Sequence, residues 1–161
     1  MHKIFFFILL APALSHAQLK GFSVGPYLEA AQTAGAFKET NKNGLGAGFH
    51  GDIRLGKLGF TGSAGFMHFG GRTLEKTGNS FKTPGVNAVP LRVGVKYRLA
   101  PFLFAKLESG VAKFTSGNES AVIFSPGLAA RIMGLEIQGK YEIWKRNETY
   151  SFWGLKASYN F

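Results

Sequence analysis

The chain has 161 residues, no cysteine and a formal net charge of +10, with 22 glycines and 16 phenylalanines. The missing cysteine excludes disulfides and a lipid-modified cysteine. Only residues 4–14 form a long apolar run, which excludes a helical membrane protein because a spanning helix needs about 20 such residues. The charge could suggest nucleic acid, but no basic cluster with interleaved aromatics supports that partner.

The N-terminal residues have the features of an export signal. A short basic start precedes the apolar run, and the triplet at residues 15–17 is a small-x-small cleavage site. The sequence therefore predicts a signal peptide over 1–17 and an exported chain over 18–161. An exported chain without cysteine favours a bacterial envelope protein over a disulfide-stapled secreted domain.

Eight segments of the exported chain alternate apolar and polar side chains with the two-residue period of a strand. The clearest is the fourth, where Val93 and Val95 alternate with Arg92 and Lys96. Each segment provides the roughly 9–11 residues that a tilted membrane strand needs. In chain order the segments cover residues 21–31, 45–55, 58–69, 89–99, 102–114, 121–132, 134–143 and 152–161.

The last segment ends the chain on an aromatic residue. Because successive strand side chains point to opposite faces, it presents one continuous apolar face that must be buried against protein or lipid. The pattern resembles the terminal strand of bacterial outer-membrane barrels, which implies a C-terminal assembly signal recognised by the barrel assembly machinery. The signal comprises Trp153, Leu155, Ala157, Tyr159 and Phe161.

Three features predict that the apolar face of these segments points to lipid. Long connections alternate with very short ones at 56–57, 100–101 and 133–134, as in outer-membrane barrels. The charged face is rich in glycine, which leaves room for long side chains in a narrow interior. Aromatic residues also gather near strand ends, as a membrane girdle requires. They are Phe22, Tyr97, Trp144, Trp153, Tyr159 and Phe161.

Lipid-facing backbone has to pair internally, so the sheet must close. The sequence thus predicts an all-β fold, an eight-stranded antiparallel up-and-down transmembrane β-barrel over 18–161, with both termini in the periplasm. Pro26 and Pro126 cannot donate ladder hydrogen bonds, so each is expected at a strand end or a bulge. The alternative fold is a soluble periplasmic calyx with the apolar face inward.

The interior of an eight-stranded barrel is just wide enough to be filled by side chains. Since buried charges must be paired, we expect an ion-pair network that plugs the lumen. The excess of basic over acidic members leaves a narrow anion-preferring path as the alternative. The expected interior charges are Glu29, Asp52, Arg54, Arg92, Lys96, Arg98, Lys106, Glu108, Arg131, Glu136, Lys140, Glu142 and Lys156.

Three stretches carry a family resemblance: Val89-Pro-Leu-Arg-Val-Gly-Val-Lys-Tyr-Arg-Leu99, Ser125-Pro-Gly-Leu-Ala129 and Gly134-Leu-Glu-Ile-Gln-Gly-Lys-Tyr141. They resemble the small outer-membrane β-barrel family of Bacteroidetes-type bacteria called PorT-like, with OmpA/OmpX-like architecture. The resemblance implies a fold and an outer-membrane location. It supplies no catalytic residues, since the family is defined mostly by its architecture.

Catalysis finds no support in the pattern of residues. A lipid A-modifying enzyme would need a nucleophile and a base together, but His68 and Ser63 fall on opposite faces of one strand. His50 is expected inside, beside Asp52 and Arg54. We therefore predict no enzyme activity, no catalytic residue, no metal site and no cofactor.

The predicted function is a structural or loop-mediated interaction role in the bacterial envelope. The long connections carry lysines and arginines suited to lipopolysaccharide phosphates or to an envelope partner. Expected partners are outer-membrane lipid and lipopolysaccharide and the barrel assembly machinery, for a monomer that binds no nucleic acid. A narrow solute or ion channel, a lipid A-modifying enzyme and a soluble ligand-binding calyx remain open as alternatives.

Overall fold

The computed structural model describes residues 21–76 and 79–161. The predicted signal peptide lies outside the described residues. The described part of the chain forms ten strands and one short helix. They are β1 (Phe22–Ala34), α1 (Gly35–Thr40), β2 (Asn41–Leu55), β3 (Leu58–Gly71), β4 (Thr73–Lys76), β5 (Asn79–Lys82), β6 (Val86–Arg98), β7 (Leu103–Phe114), β8 (Ser120–Ile132), β9 (Leu135–Lys145) and β10 (Thr149–Tyr159).

Eight of these strands close into one antiparallel barrel, in the order β1-β10-β9-β8-β7-β6-β3-β2. The first and last strands close it through pairs such as Leu28↔Ala157 and Ala30↔Leu155. The two short strands β4 and β5 pair only with each other and form a hairpin between β3 and β6. The predicted eight-stranded antiparallel up-and-down fold is therefore confirmed.

The barrel wall is apolar on its outer side. Burial alternates residue by residue along β1, and large outward side chains such as Phe49 and Val93 are 72% and 68% exposed. Along β6 and the residue that follows it, this apolar belt runs from Val89 to Leu99, about 25 Å along the axis for a strand tilted by about 40°. That is the height of the apolar band in outer-membrane barrels. No helix among the described residues is long and apolar enough to cross a membrane.

The two ends of the barrel differ. The short turns at 56–57, 99–102 and 133–134 lie together with residue 161 at one end, which we call the turn end. Met133 and Gly134 have φ of 48° and 87°, as a two-residue type I′ hairpin turn requires. The opposite end is the loop end, where the connections lie at 35–40, 72–85, 115–119 and 146–148. All of them except 146–148 are longer than any connection at the turn end.

Two of the predicted loops contain regular structure. The helix α1 lies between the predicted segments 21–31 and 45–55, and β1 and β2 both extend beyond their predicted ends to meet it. The hairpin of β4 and β5 lies between the predicted segments 58–69 and 89–99. Both elements stand at the loop end, where the strands run past the apolar belt.

The expectation that Pro26 and Pro126 mark strand ends or bulges is wrong. Pro26 pairs with Phe49 inside an unbroken β1–β2 register. In β8–β9 the pairs on either side of Pro126, Phe124↔Ile143 and Gly127↔Lys140, keep one register. Each strand residue directs its N–H toward only one neighbouring strand, so a proline loses one ladder bond without shifting the register. The shift that the ladders do contain lies between Asn41 and Gly44 of β2.

Candidate functional site

The interior of the barrel is the candidate site, and its half nearest the loop end is apolar. Phe69, Trp144 and Phe152 are fully buried there, with ring centroids 5.8 Å apart for Phe69–Trp144 and 5.4 Å for Trp144–Phe152. Phe37 of α1 lies with its ring 4.9 Å from Phe69 and 4.9 Å from Tyr150. We call this set the aromatic layer: Ala31, Phe37, Met67, Phe69, Ala88, Ala112, Phe114, Ala121, Ile123, Trp144 and Phe152.

The alternation of residues did not predict the aromatic layer. The assignment of Trp144 to the membrane girdle is wrong. Trp144 lies on the same face of β9 as Glu142 and Lys140, so it points into the barrel and is fully buried. The sequence feature that indicates this layer is that the inward positions of several strands become apolar as the strands approach the loop end. The other predicted girdle residues are exposed on the outer wall or just beyond it: Phe22, Tyr97, Trp153, Tyr159 and Phe161.

Directly below the aromatic layer lies a first ionic network of two acids and two bases. Arg92 contacts Glu142 at 2.7 Å and Glu29 at 3.5 Å. Lys140 contacts Glu29 at 2.8 Å and Glu142 at 2.6 Å. The indole Nε1 of Trp144 donates to Oε1 of Glu142 at 2.5 Å. All four charged side chains are completely buried, and their charges balance.

A second ionic network lies nearer the turn end and holds three bases and two acids. Lys96 contacts Asp52 at 2.5 Å, and Lys106 contacts Glu136 at 3.0 Å. Arg131 binds both acids, with its Nη2 atom 2.6 Å from Oε2 of Glu136. The network therefore carries one positive charge in excess.

Four polar residues lie between the two networks: Gln138, Glu108, Lys156 and Tyr27. Gln138 donates from Nε2 to Oε2 of Glu108 at 2.6 Å. The Nζ of Lys156 lies 4.3 Å from the centre of the Tyr27 ring, which is within cation–π range. That Nζ is buried and has no hydrogen-bond partner among the described residues.

Arg54 and Arg98 are the interior charges nearest the turn end. Both are partly exposed, and neither has a carboxylate within 4 Å among the described residues. The structure thus places all thirteen predicted charges on the inward face. Ion pairs join nine of them, and they leave out Arg54, Arg98, Glu108 and Lys156.

The five residues of the predicted assembly signal form one stripe on the outer surface. Trp153 is 60% exposed and packs against Tyr141, with the ring centroids 4.8 Å apart and the rings tilted by 55°. Tyr159 packs against Phe161 at 4.9 Å, just past the end of β10. Leu155 and Ala157 lie exposed between these aromatic pairs. Their recognition by an assembly machinery stays a prediction.

The histidines of the described chain lie apart from each other. His50 points inward, with Nε2 2.8 Å from Oδ1 of Asn160. His68 lies on the outer wall, with Nδ1 2.5 Å from Oδ1 of Asn87. Ser63 is buried inside the barrel, so it faces away from His68. Among the described side chains, no group of three or more His, Cys, Asp or Glu residues could hold a metal ion.

No family model and no curated protein sequence matches the chain. Several solved structures are similar to it. Ail of Yersinia pestis in a phospholipid nanodisc shares 18% identity at a TM-score of 0.59, over 88% of this chain and 100% of Ail. Neisserial surface protein A shares 14% identity at 0.51, over 88% of this chain and 96% of that protein. A designed transmembrane β-barrel shares 13% identity at 0.57, over 86% and 95%.

The chain therefore has the fold of small eight-stranded outer-membrane β-barrels. Identities this low define the fold alone, because one barrel architecture carries many unrelated functions. Membership of the PorT-like family stays a prediction.

Proposed function

We propose that the chain is an integral outer-membrane barrel with a sealed lumen, acting in envelope structure and through contacts at its loop end. The observation that carries the proposal is the distribution of polarity. Apolar side chains such as Leu28, Phe49 and Val93 are about 70% exposed on the outer wall, while charged groups fill the interior. An exposed apolar belt of this extent would aggregate in water, but in a bilayer it is solvated by acyl chains.

The sealed lumen is supported by both halves of the interior. The aromatic layer closes the loop end with fully buried rings, including Phe69 and Phe152. Beneath it, Arg92 and Lys140 are held by carboxylates and have no exposed side-chain surface. A water-filled path would require solvated side chains along the lumen, so we infer that the barrel conducts neither ions nor solutes.

The orientation follows from the two ends of the barrel. Outer-membrane barrels have short turns on the periplasmic side and longer loops outside. We therefore infer that the turn end, with the C-terminus, faces the periplasm and that the loop end faces the exterior.

The loop end is suited to anionic partners. Among its connections and strand tips, eight lysines and arginines stand against four glutamates. The hairpin of β4 and β5 adds an exposed apolar pair, Leu74 and Phe81, at 39% and 63%. Ail has been solved with the heparin analogue sucrose octasulfate, a polyanion. We infer that this end contacts anionic polymers at the cell surface, foremost lipopolysaccharide phosphates.

Conductance across planar bilayers tests the sealed lumen. The purified barrel should insert without discrete current steps, and Phe37→Ala should behave the same because the ionic networks below remain in place. Reproducible current steps from the unmodified protein would contradict the seal and establish the narrow channel.

Antibody accessibility tests the orientation. An epitope inserted after Gly117 should bind antibody on intact cells, and one inserted after Gly56 should bind it only after permeabilisation.

A further inference from the structure

The charges of the lumen are unevenly paired, and the imbalance lies at the turn end. The interior holds eight bases and five acids, and the first ionic network is neutral. Lys156 lies at mid-height against the ring of Tyr27, with Glu108 as its counterpart in charge. The second network carries one excess positive charge, and Arg54 and Arg98 add two more beside it. The whole excess therefore lies at this mouth.

Arg54 and Arg98 lie on β2 and β6, the two strands that flank the beginning of β3. In the register, Arg54 pairs with Gly59 of β3, and Gly59 pairs with Lys96 of β6. The backbone N–H of Arg98 donates to the carbonyl of Lys57 at 2.8 Å. The two arginines thus approach the mouth from strands separated only by β3, within two residues of each other in height.

The acceptors near this mouth are largely committed to other donors. Oδ1 of Asn160 accepts from Arg131 at 2.8 Å and lies 2.8 Å from Nε2 of His50. Oδ2 of Asp52 accepts from Lys96 and Arg131, while its Oδ1 has no hydrogen-bond partner in residues 21–76 and 79–161. This one acceptor does not neutralise the mouth, because the second network already has more bases than acids before Arg54 and Arg98 are counted.

Each of the two arginines has a buried donor without an acceptor. Nε of Arg54 and Nε of Arg98 are both shielded from solvent and have no hydrogen-bond partner in the described chain. An unpaired buried donor on a charged group costs free energy, and an anion that reaches it removes that cost.

We propose that Arg54 and Arg98 form a binding site for a phosphate group at the turn end. A guanidinium presents a planar fork of donors that matches an oxyanion in a bidentate way. One fork is enough for a carboxylate, whereas a phosphate has oxygens for two forks that approach from different strands. The phosphate is either free in solution or part of a phospholipid headgroup at the rim; that it arrives from the periplasm rests on the proposed orientation.

The test is solution NMR of the arginine side-chain Nε–Hε signals in the full barrel. In micelles of a non-ionic detergent, which brings no phosphate of its own, added inorganic phosphate should shift the signals of Arg54 and Arg98 to saturation. The signal of Arg92, whose Nε donates to Oε1 of Glu142 inside the buried first network, should not follow. Chloride at equal ionic strength should not reproduce the shift. Nanodiscs that contain phosphatidylglycerol then separate the sources, because a headgroup would shift both signals from their positions in the non-ionic micelles without added phosphate.

Substitutions distinguish a specific phosphate site from general electrostatic attraction. Arg54→Gln or Arg98→Gln should weaken phosphate binding about tenfold or more, because each removes charge-assisted hydrogen bonds. Lys57→Gln removes an exposed cation from the adjacent turn and should change binding less than about twofold, since an exposed charge is screened. Absence of a saturable shift in the unmodified barrel, with free phosphate and with phosphatidylglycerol alike, would overturn the proposal. So would an equal loss in Lys57→Gln. Conductance steps in planar bilayers would defeat the sealed lumen and leave this result untouched.

Discussion

The indole N–H of Trp144 donates to Oε1 of Glu142, 2.5 Å away and two residues earlier on β9. This hydrogen bond joins the two halves of the interior, since Trp144 belongs to the aromatic layer and Glu142 to the first ionic network. The same oxygen accepts from Arg92 at 2.7 Å. Along the inward face of β9, the side chains thus change from apolar to ionic between two successive inward positions.

Trp144→Ala should destabilise the barrel by about 3–5 kcal/mol, because it opens a cavity among Phe69, Phe114 and Phe152. The check is the free energy of unfolding in urea, measured in phospholipid vesicles. The matched control is Trp153→Ala on the outer wall, where lipid fills the space that the ring leaves. Equal losses in the two variants would contradict the buried position of Trp144.

Glu142→Gln should cost about 3–5 kcal/mol in the same assay, because it leaves Arg92 and Lys140 with only Glu29 between them in a buried network. Glu119 provides the contrast, since it pairs with Arg146 at the loop end and is 56% exposed at its side chain. Glu119→Gln should cost at most about 1 kcal/mol. A small effect at Glu142 would mean that its partners are solvated.

Val93→Arg should cost about 2–4 kcal/mol, since Val93 lies at mid-height of the apolar belt. Val89→Arg, on the same strand and face but at the polar rim beside Asn87, should cost about 1 kcal/mol or less. Urea unfolding in vesicles again provides the comparison. Equal costs at the two heights, or no cost at either, would contradict contact of this face with the bilayer.

Gly94→Ala should impair assembly, because a Cβ there would lie 2.3 Å from the backbone oxygen of Leu107. Gly139→Ala should assemble normally, since a Cβ at that outward position meets no atom within 4 Å. The folded fraction after refolding into detergent, read from gel migration of unboiled samples, distinguishes the two. Similar yields would contradict the close approach of β6 and β7 at Gly94.

The alternation of residues was enough to assign a face to nearly every strand position. Side chains such as Arg92 and Val93 differ so strongly in transfer free energy that a shift by one residue would bury charge in lipid. The same logic failed for Trp144, since aromatics are favoured both at a membrane interface and inside a barrel. A period of two gives the side of the wall that a residue occupies, but not the height at which the interior changes from ionic to apolar.

The remaining misses arise where the membrane no longer imposes a pattern. The helix α1 is held by one buried side chain, Phe37, whose partners come from distant strands. Pro26 and Pro126 stay in register because the neighbouring pairs fix it, which no local rule reveals. The ion pairs depend on which strands face each other across the lumen, as for Lys96 and Asp52.

The measurement that tests the central claim most directly is fractionation of cells that express the full chain, followed by gels of boiled and unboiled samples. The account predicts recovery in the outer membrane and a shift in migration on boiling, as a closed, detergent-resistant barrel gives. Recovery in the soluble periplasmic fraction without a heat-dependent shift would contradict it and would mean that the apolar wall of the barrel does not face lipid.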